Sequence, residues 1–391
     1  MTLKPKEQIY TLGFLYAAAR VCTRLSYREA ADTINLFLHR DSTDSVKLRT
    51  LSDRMNHIGA GISQELSAVT THTLETYGFD GKTGVPHTDT VLSDNITGNI
   101  PDRGKDDRLE RIQSAIDDIN TTREEKIPFS AGEVLVEKDP SECIYISIDD
   151  IGVKRQKDER GEGKERKSRF VENTVAHIQH KDSSYTLTAV GMEELFRTIL
   201  AFLLMNNLLK YEIIFFTDGA RNIKSCIEKY FSFHESSTIL DWFHLKKKCM
   251  ELLSMAVRGK EKRNAVLEKL LRHLWVGDVN GAAAYLRSLT QSYIKNQKCL
   301  EEVNAYLERK RPGITCYAVR KKLGLRNSSN PVEKANDLLV ARRQKHNGMS
   351  WTPHGSGALA AIEMLYENEQ ADLWFRNKQL SFLMPDEKQC A

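Results

Sequence analysis

Three carboxylates, Asp149, Asp218 and Glu333, stand where elements of secondary structure end or begin. Asp149 closes the run CIYISIDD, in which alternation sends Ile144, Ile146 and Ile148 to one face and Tyr145, Ser147 and Asp149 to the other. Asp218 closes YEIIFFTDG, and Glu333 lies just inside a Pro-started helix within SSNPVEKANDLLVARRQKHNGMSW. Three gathered acids repel one another and bind protons more tightly unless divalent cations fill the space between them. Oxygen-only ligands favour Mg²⁺ or Mn²⁺, and two such ions about 4 Å apart suit phosphodiester chemistry, activating one oxygen and stabilising the leaving one. Arg342, Arg343 and Lys345, with His346 beside them, follow roughly two to three turns beyond Glu333, placed to hold a DNA backbone. Each acid also has a plainer reading. A strand-terminal Asp-Gly such as 218–219 is often only a turn, Asp149 or its neighbour Asp150 can cap a bend, and Glu in a first turn complements the helix dipole.

The elements that must position these acids follow from periodicity. Strands are expected over CIYISIDDIGVKRQ, FVENTVAHIQHKD and SYTLTAVG, then a long apolar helix MEELFRTILAFLLMNNLL, a strand YEIIFFTDG, a helix ARNIKSCIEKYF and a strand TILDWFHL. The order β-β-β-α-β-α-β is that of a ribonuclease-H-like mixed α/β sheet, antiparallel at first and later joined through crossovers. In that order the ends of the first and fourth strands are neighbours, and the helix bearing Glu333 lies across the same edge. Residues 246–326 read as an all-α insertion broken at Gly259, Gly277 and Pro312–Gly313. The divisions expected are a helical domain 1–75, a polar linker with one helix at 76–142, a first part of the core at 143–245, the insertion 246–326, and a final segment 327–391. Within 1–75, Ser26 and Glu29 have the spacing of a capping box, and the break near 41–46 gives helix-turn-helix spacing. The second helix then offers Lys47, Arg49, Arg54, Asn56 and His57 to a DNA groove while Leu48, Leu51, Met55 and Ile58 pack inward. A plain helical bundle with a solvated polar face is the alternative.

The totals permit this chemistry without demanding it. A chain of 391 residues, 40% of them hydrophobic, can bury a large core, and a net charge of +4 requires any nucleic-acid binding to come from local basic stretches. The seven cysteines include no CxxC pair, which argues against a disulfide framework or zinc ribbon and fits a reducing cytoplasm. The apolar run Ile199–Met205 is too short to span a bilayer, and MTLKPKEQIY has no signal-peptide apolar region, so neither membrane anchoring nor export is expected.

With ISIDD (146–150), FFTDGARNI (215–223), ILDWFHLKKK (239–248) and the Glu333 segment on one chain, residues 140–370 resemble the DDE transposases of bacterial insertion sequences, the group that includes Mutator-like enzymes. The resemblance implies that Asp149, Asp218 and Glu333 bind two Mg²⁺ or Mn²⁺ ions. It also implies that Asp241 and His244 form a C/D-x-x-H element on the fifth strand, positioning the site or the scissile strand; a tie between that strand and the next helix is the plainer role. It further implies that 246–326 is the insertion such enzymes carry before the final Glu, gripping transposon-end or flanking DNA or supporting a dimer; Trp275 within it, and Trp242 just before it, either approach unpaired bases or belong to the core. The partners implied are transposon ends and target DNA, with a homodimer or larger oligomer expected because two ends are processed together. The basic run 153–169 reads as a hairpin loop or a DNA contact. A non-catalytic DNA-binding protein of the same descent and a structure-selective nuclease are the competing functions.

Overall fold

The structure, a computed structural model, describes residues 10–40, 45–99, 102, 104–157, 168–345 and 349–385. Its strands form where β-branched and aromatic residues cluster. β1 (Ile144–Lys154) pairs antiparallel with β2 (Phe170–His180), from Ile144 opposite His180 to Lys154 opposite Phe170. β2 turns into β3 (Ser183–Ala189) through Lys181, which takes a left-handed φ of 53°. Helices α6 (Met192–Met205) and α7 (Arg221–Phe231) then return the chain to β4 (Ile213–Thr217) and β5 (Ser236–Leu240), both parallel to β1. The five-stranded mixed sheet has the order β3-β2-β1-β4-β5. β1, at its centre, has an antiparallel neighbour on one side and a parallel one on the other.

Alternation gives this sheet two apolar faces. Ile144, Ile146, Ile148, Ile213 and Phe215 share a core with α6 and with the N-terminal helices α1 (Leu12–Cys22), α2 (Tyr27–Phe37) and α3 (Leu48–Thr76). Ile214, Phe216 and Ile239 face the other way, into a core built with α8 (Trp242–Ala256), α9 (Lys260–Trp275), α10 (Val279–Arg287) and α11 (Gln297–Lys310). The insertion is therefore the second helical layer of the sheet. Burial of both faces explains why β4 is apolar at every position.

Three expectations about organisation change. The N-terminal helices do not form a separate unit: α3 runs for 29 residues and packs on α15 (Pro353–Glu367) so tightly that a Cβ at Gly59 would sit 2.3 Å from Ala358 Cα. The stretch 76–142 is not a linker either. Beyond the short α4 (Asp94–Thr97), α5 (Lys105–Thr122) buries Ile112, Ala115, Ile116 and Ile119 in a small core shared with Val319 of α12 (Tyr317–Lys322). Polar composition concealed these contacts, because the apolar stripe of α5 is narrow. The helix bearing Glu333 is also interrupted: α13 (Asn330–Asn336) passes into a π-helical turn, Asp337–Ala341, before α14 (Arg342–Gln344), and α16 (Ala371–Asn377) ends the helical set. Such π turns are rare and recur at functional sites.

The capping box is present, with Glu29 N–H donating to Ser26 Oγ at 3.2 Å and Ser26 N–H to Glu29 Oε2 at 3.0 Å. Among the described residues the cysteines are free, Cys390 lying outside them, and no helix is long and apolar enough to cross a membrane. Residues 158–167 of the basic run, and His346, also lie outside the described residues.

Candidate active site

The parallel register of β1 and β4 decides where the first two acids meet. Ser147 pairs with Phe216, so Asp149 and Asp218, each two residues further on, lie side by side: Asp218 just past the end of β4, and Asp149 partway along β1, which does not end there as expected but runs on to Lys154. β4 and β5 continue the arrangement: Thr217 pairs with Leu240, and the Asp241 N–H donates to the Thr217 carbonyl at 2.9 Å. Three aspartates thus line the carboxyl edge of adjacent parallel strands, where mixed and open sheets commonly bind ligands.

Asp149 and Asp150 differ in their bonds. Asp150 accepts from Thr174 Oγ1 at 2.6 Å and from Asn222 Nδ2 at 3.3 Å. Asp149 Oδ2 accepts from Asn336 Nδ2 at 2.7 Å. Burial raises the Asp149 pKa, and the charge of Asp218 raises it further, against the opposing pull of His244. Asp218 accepts the Ala220 N–H at 2.7 Å, the tight turn expected of an Asp-Gly pair. Asp218 both makes this turn and lines a cavity of about 280 Å³ together with His244, Lys247, Tyr306 and Lys310.

Asp241 and His244 are placed differently from the expectation. β5 ends at Leu240, and Asp241 is the N-cap of α8, accepting the His244 N–H at 2.7 Å. A capping aspartate stops the strand here by supplying the orphan donors of the new helix with an acceptor. Asp241 is completely buried. Its Oδ1 also meets His244 Nδ1 at 3.1 Å, and its Oδ2 accepts from the N–H and, at 3.0 Å, the hydroxyl of Ser329. Although burial alone would raise its pKa, these bonds hold the Asp241 carboxyl below the usual aspartate value. The Asp241 hydrogen bond, opposed by burial and supported by the charges of Asp241, Asp149 and Asp218, raises the His244 pKa. Asp241 is thereby a positioning residue, and His244 is the member of the pair that reaches the cavity.

Glu333 stands between two anchors. Ser329 bonds Asp241 and Asn336 bonds Asp149, and positions 329, 333 and 336 share one face of a helix. Among the described residues no three His, Cys, Asp or Glu side chains are grouped closely enough to hold a metal ion. The structure brings together an acid pair, with Glu333 on the helix face that both anchors fix. The donor chemistry fits a hard cation: Asp149 and Asp218 offer oxygens only, and the buried Asn336 Oδ1 has no hydrogen-bond partner.

The basic residues divide. Lys47 and Arg49 are exposed on the first turn of α3, Arg49 reaching Asp53 at 3.9 Å, and Arg54 lies 5.6 Å over the Tyr10 ring. Leu51, Met55 and Ile58 are buried as expected, whereas Leu48 is 45% exposed because it precedes the part of α3 that meets the core. Arg342 and Lys345 are exposed. Arg343 is not: only 3% exposed, it donates to the Cys22 carbonyl at 2.9 Å and lies 5.3 and 5.1 Å over the rings of Tyr27 and Trp351. The π turn rotates it inward, so it cannot grip a DNA backbone beside Arg342. Trp242 and Trp275 meet edge to face at 4.8 Å and both contact Tyr317, which makes them packing residues of the second layer.

Asn336, Ser329, Lys247 and Lys310 were not picked out from the sequence. Helical spacing from Glu333 could have indicated Asn336, but nothing local identifies a lysine contributed by a helix some ninety residues away, as Lys310 is to Gly219.

A Drosophila P element transposase strand transfer complex is 10% identical, with 96% of this chain and 83% of that chain covered and a TM-score of 0.26, a likeness too slight to decide fold or function. No curated protein matches the chain. The family model that does match spans residues 122–373, from the end of α5 into α16, and so encloses the whole candidate site. The chain belongs to UPF0236, an uncharacterised protein family.

Proposed function

We propose that this chain is a DDE-type DNA transposase whose sheet is ribonuclease-H-like. One observation carries the reading: parallel register sets Asp149 beside Asp218 while hydrogen bonds at Ser329 and Asn336 bracket Glu333 on the facing helix. When bound by Asp149, Asp218 and Glu333, Mg²⁺ or Mn²⁺ supplies Lewis-acid activation of the phosphodiester and of the attacking oxygen. The chain's own groups supply the remainder. Asp241 keeps His244 oriented and favours its protonated form, from which the ring can donate to a phosphate oxygen. The Ser329 and Asn336 anchors fix the angle of the Glu333 helix. Water first displaces a 3′ oxygen at the element's end, and the freed 3′-hydroxyl then attacks a target phosphodiester in line; each step forms one P–O bond and breaks one. Lys47, Arg49, Arg54, Arg342 and Lys345 bind the DNA backbone and grooves in this reading, two copies of the chain hold two ends, and the setting is the bacterial cytoplasm.

Nicking of a labelled duplex carrying the DNA that flanks the gene, with Mg²⁺ or Mn²⁺, tests the proposal. Metal-dependent cleavage at the element boundary that disappears in Glu333→Gln and Asp218→Asn supports it; cleavage that survives either change rejects it. The absence of a finished three-acid group among the described residues favours, as second reading, a DNA-binding protein without catalysis. Tight binding of the ends with no nicking by the wild type establishes that alternative. Preference for branched over linear DNA points instead to a structure-selective nuclease. Arg49→Ala should weaken end binding, and unchanged affinity excludes α3 as the recognition helix.

A further inference from the structure

The cavity beside Asp218 is roofed by two helices of the insertion, and their helical spacing turns a set of cations toward it. His244, Lys247, Lys248 and Glu251 recur at intervals of three and four along α8, and Tyr306 and Lys310 at an interval of four along α11. The charges do not cancel. Lys248 is taken up by Glu251 at 3.3 Å, while Lys247 stands exposed at the mouth. Lys310 reaches down from α11 to donate to the Gly219 carbonyl. Its stem packs on that glycine, where the φ of +77° excludes an ordinary side chain and a Cβ would meet Leu240 Cδ1 at 2.9 Å and Lys310 Cδ at 3.2 Å. Lys310 therefore both secures the turn that presents Asp218 and places an ammonium at the cavity floor.

We propose that the cleft between α8 and α11 seats a phosphodiester of the substrate strand next to the reacting one, with Lys247 and Lys310 as its cationic contacts. The inference rests on the transposase reading and assigns the insertion a direct part in it. The lining supplies cationic and hydroxyl donors from the two roof helices; of its two carboxylates, Glu251 is paired with Lys248 and Asp218 stands at the end of β4. A strand phosphate entering there is attracted by the roof and carried up to the acid pair. An ion of the opposite sign would meet two lysines.

Binding of a labelled mixed-sequence duplex, and of its single strand, is to be followed by anisotropy across a salt series in EDTA, so that no metal contributes. Lys247→Ala and Lys310→Met are expected to weaken binding several-fold, each lowering the slope of log affinity against log salt by about 0.7 to 0.9. The slope separates a phosphate contact from a packing role, since loosening the Gly219 turn alone leaves it unchanged. Lys247 is exposed, so its variant tests the cleft even if Lys310→Met fails to fold. Wild-type affinity and slope in Lys247→Ala overturn the cleft while leaving the transposase reading standing. Failure of the wild type to bind either probe overturns both.

Discussion

Two charge clusters in this molecule, one buried and one half-buried, invite comparison. In one, the guanidinium of Arg320, contributed by α12, meets Glu137 with both side chains at 0% exposure, donating to its two oxygens at 2.6 and 3.0 Å and to the Leu135 and Arg326 carbonyls at 3.0 Å. In the other, Asp149 and Asp218 share the edge of the sheet, and the pKa of Asp149 rises by burial and by that neighbour. In the first cluster each Glu137 oxygen accepts from the guanidinium, and the pair, although Glu137 also lines a cavity of about 260 Å³, ties the segment before β1 to the end of the insertion. The second sets two like charges side by side. Opposite charges paired in the interior read as scaffold, whereas like charges gathered beside a cavity make a candidate site.

The contrast can be broken at either end. The largest effect is expected from Asp149→Asn or Asp218→Asn: loss of nicking on the order of 10⁴-fold, as happens when one member of a group acting as a unit is removed, with the melting temperature kept or raised. A fall in melting temperature with activity intact would mean that the acids are scaffold after all. Arg320→Met should do the reverse, destabilising by about 3–5 kcal/mol in denaturant titration because Glu137 is left buried and unpaired. The double variant with Glu137→Leu should recover most of that loss, and no recovery would show that the pair matters for more than its charges.

Divalent cations sharpen the comparison further. Mg²⁺ or Mn²⁺ at a hundred times its dissociation constant should stabilise the wild type by about 2.7 kcal/mol in thermal melts and leave Asp149→Asn unaffected. Equal stabilisation of both proteins would place the cation elsewhere. The smallest effect belongs to the His244–Asp241 pair, where Asp241→Asn should cost about 10- to 100-fold in rate, the usual scale for a group that orients another. Its pH dependence has a definite sign. The folded pKa of His244 lies above its ordinary 6.5, so its stabilising contribution is complete below 6.5 and fades as pH rises through the folded value. Asp241 lies below its ordinary 3.8, so its contribution is present above that pH and fades on acidification. Melting curves across pH that lack the decline on the alkaline side in wild type, or retain it in His244→Gln, would refute the assignment.

Much of the scaffold was legible because it is periodic. Two-residue alternation in β1, uniform apolarity in β4 and the capping pair Ser26–Glu29 each have a local cause, and local causes survive into the fold. The phase of β1 also puts Asp149 on the opposite face from Ile144, Ile146 and Ile148, which enter the core. What was not legible was fixed by contacts distant in sequence. That Asp241 ties the strand to the next helix was one of two readings open in the sequence, but its second partner, Ser329, lies 88 residues away. Arg343 turns inward because a π turn shifts its face and because Tyr27 and Trp351 are there to receive it. The stretch 76–142 joins the body because α12 covers the narrow apolar stripe of α5.

The sequence by itself determined which strands carry or lead into Asp149, Asp218 and Asp241, since strand period and turn chemistry act within a few residues of each. Only the tertiary structure decided which of the chain's charges are quenched and which remain open. Pairing depends on which side chains the packing of distant helices brings within about 3 Å, and no local pattern encodes that distance.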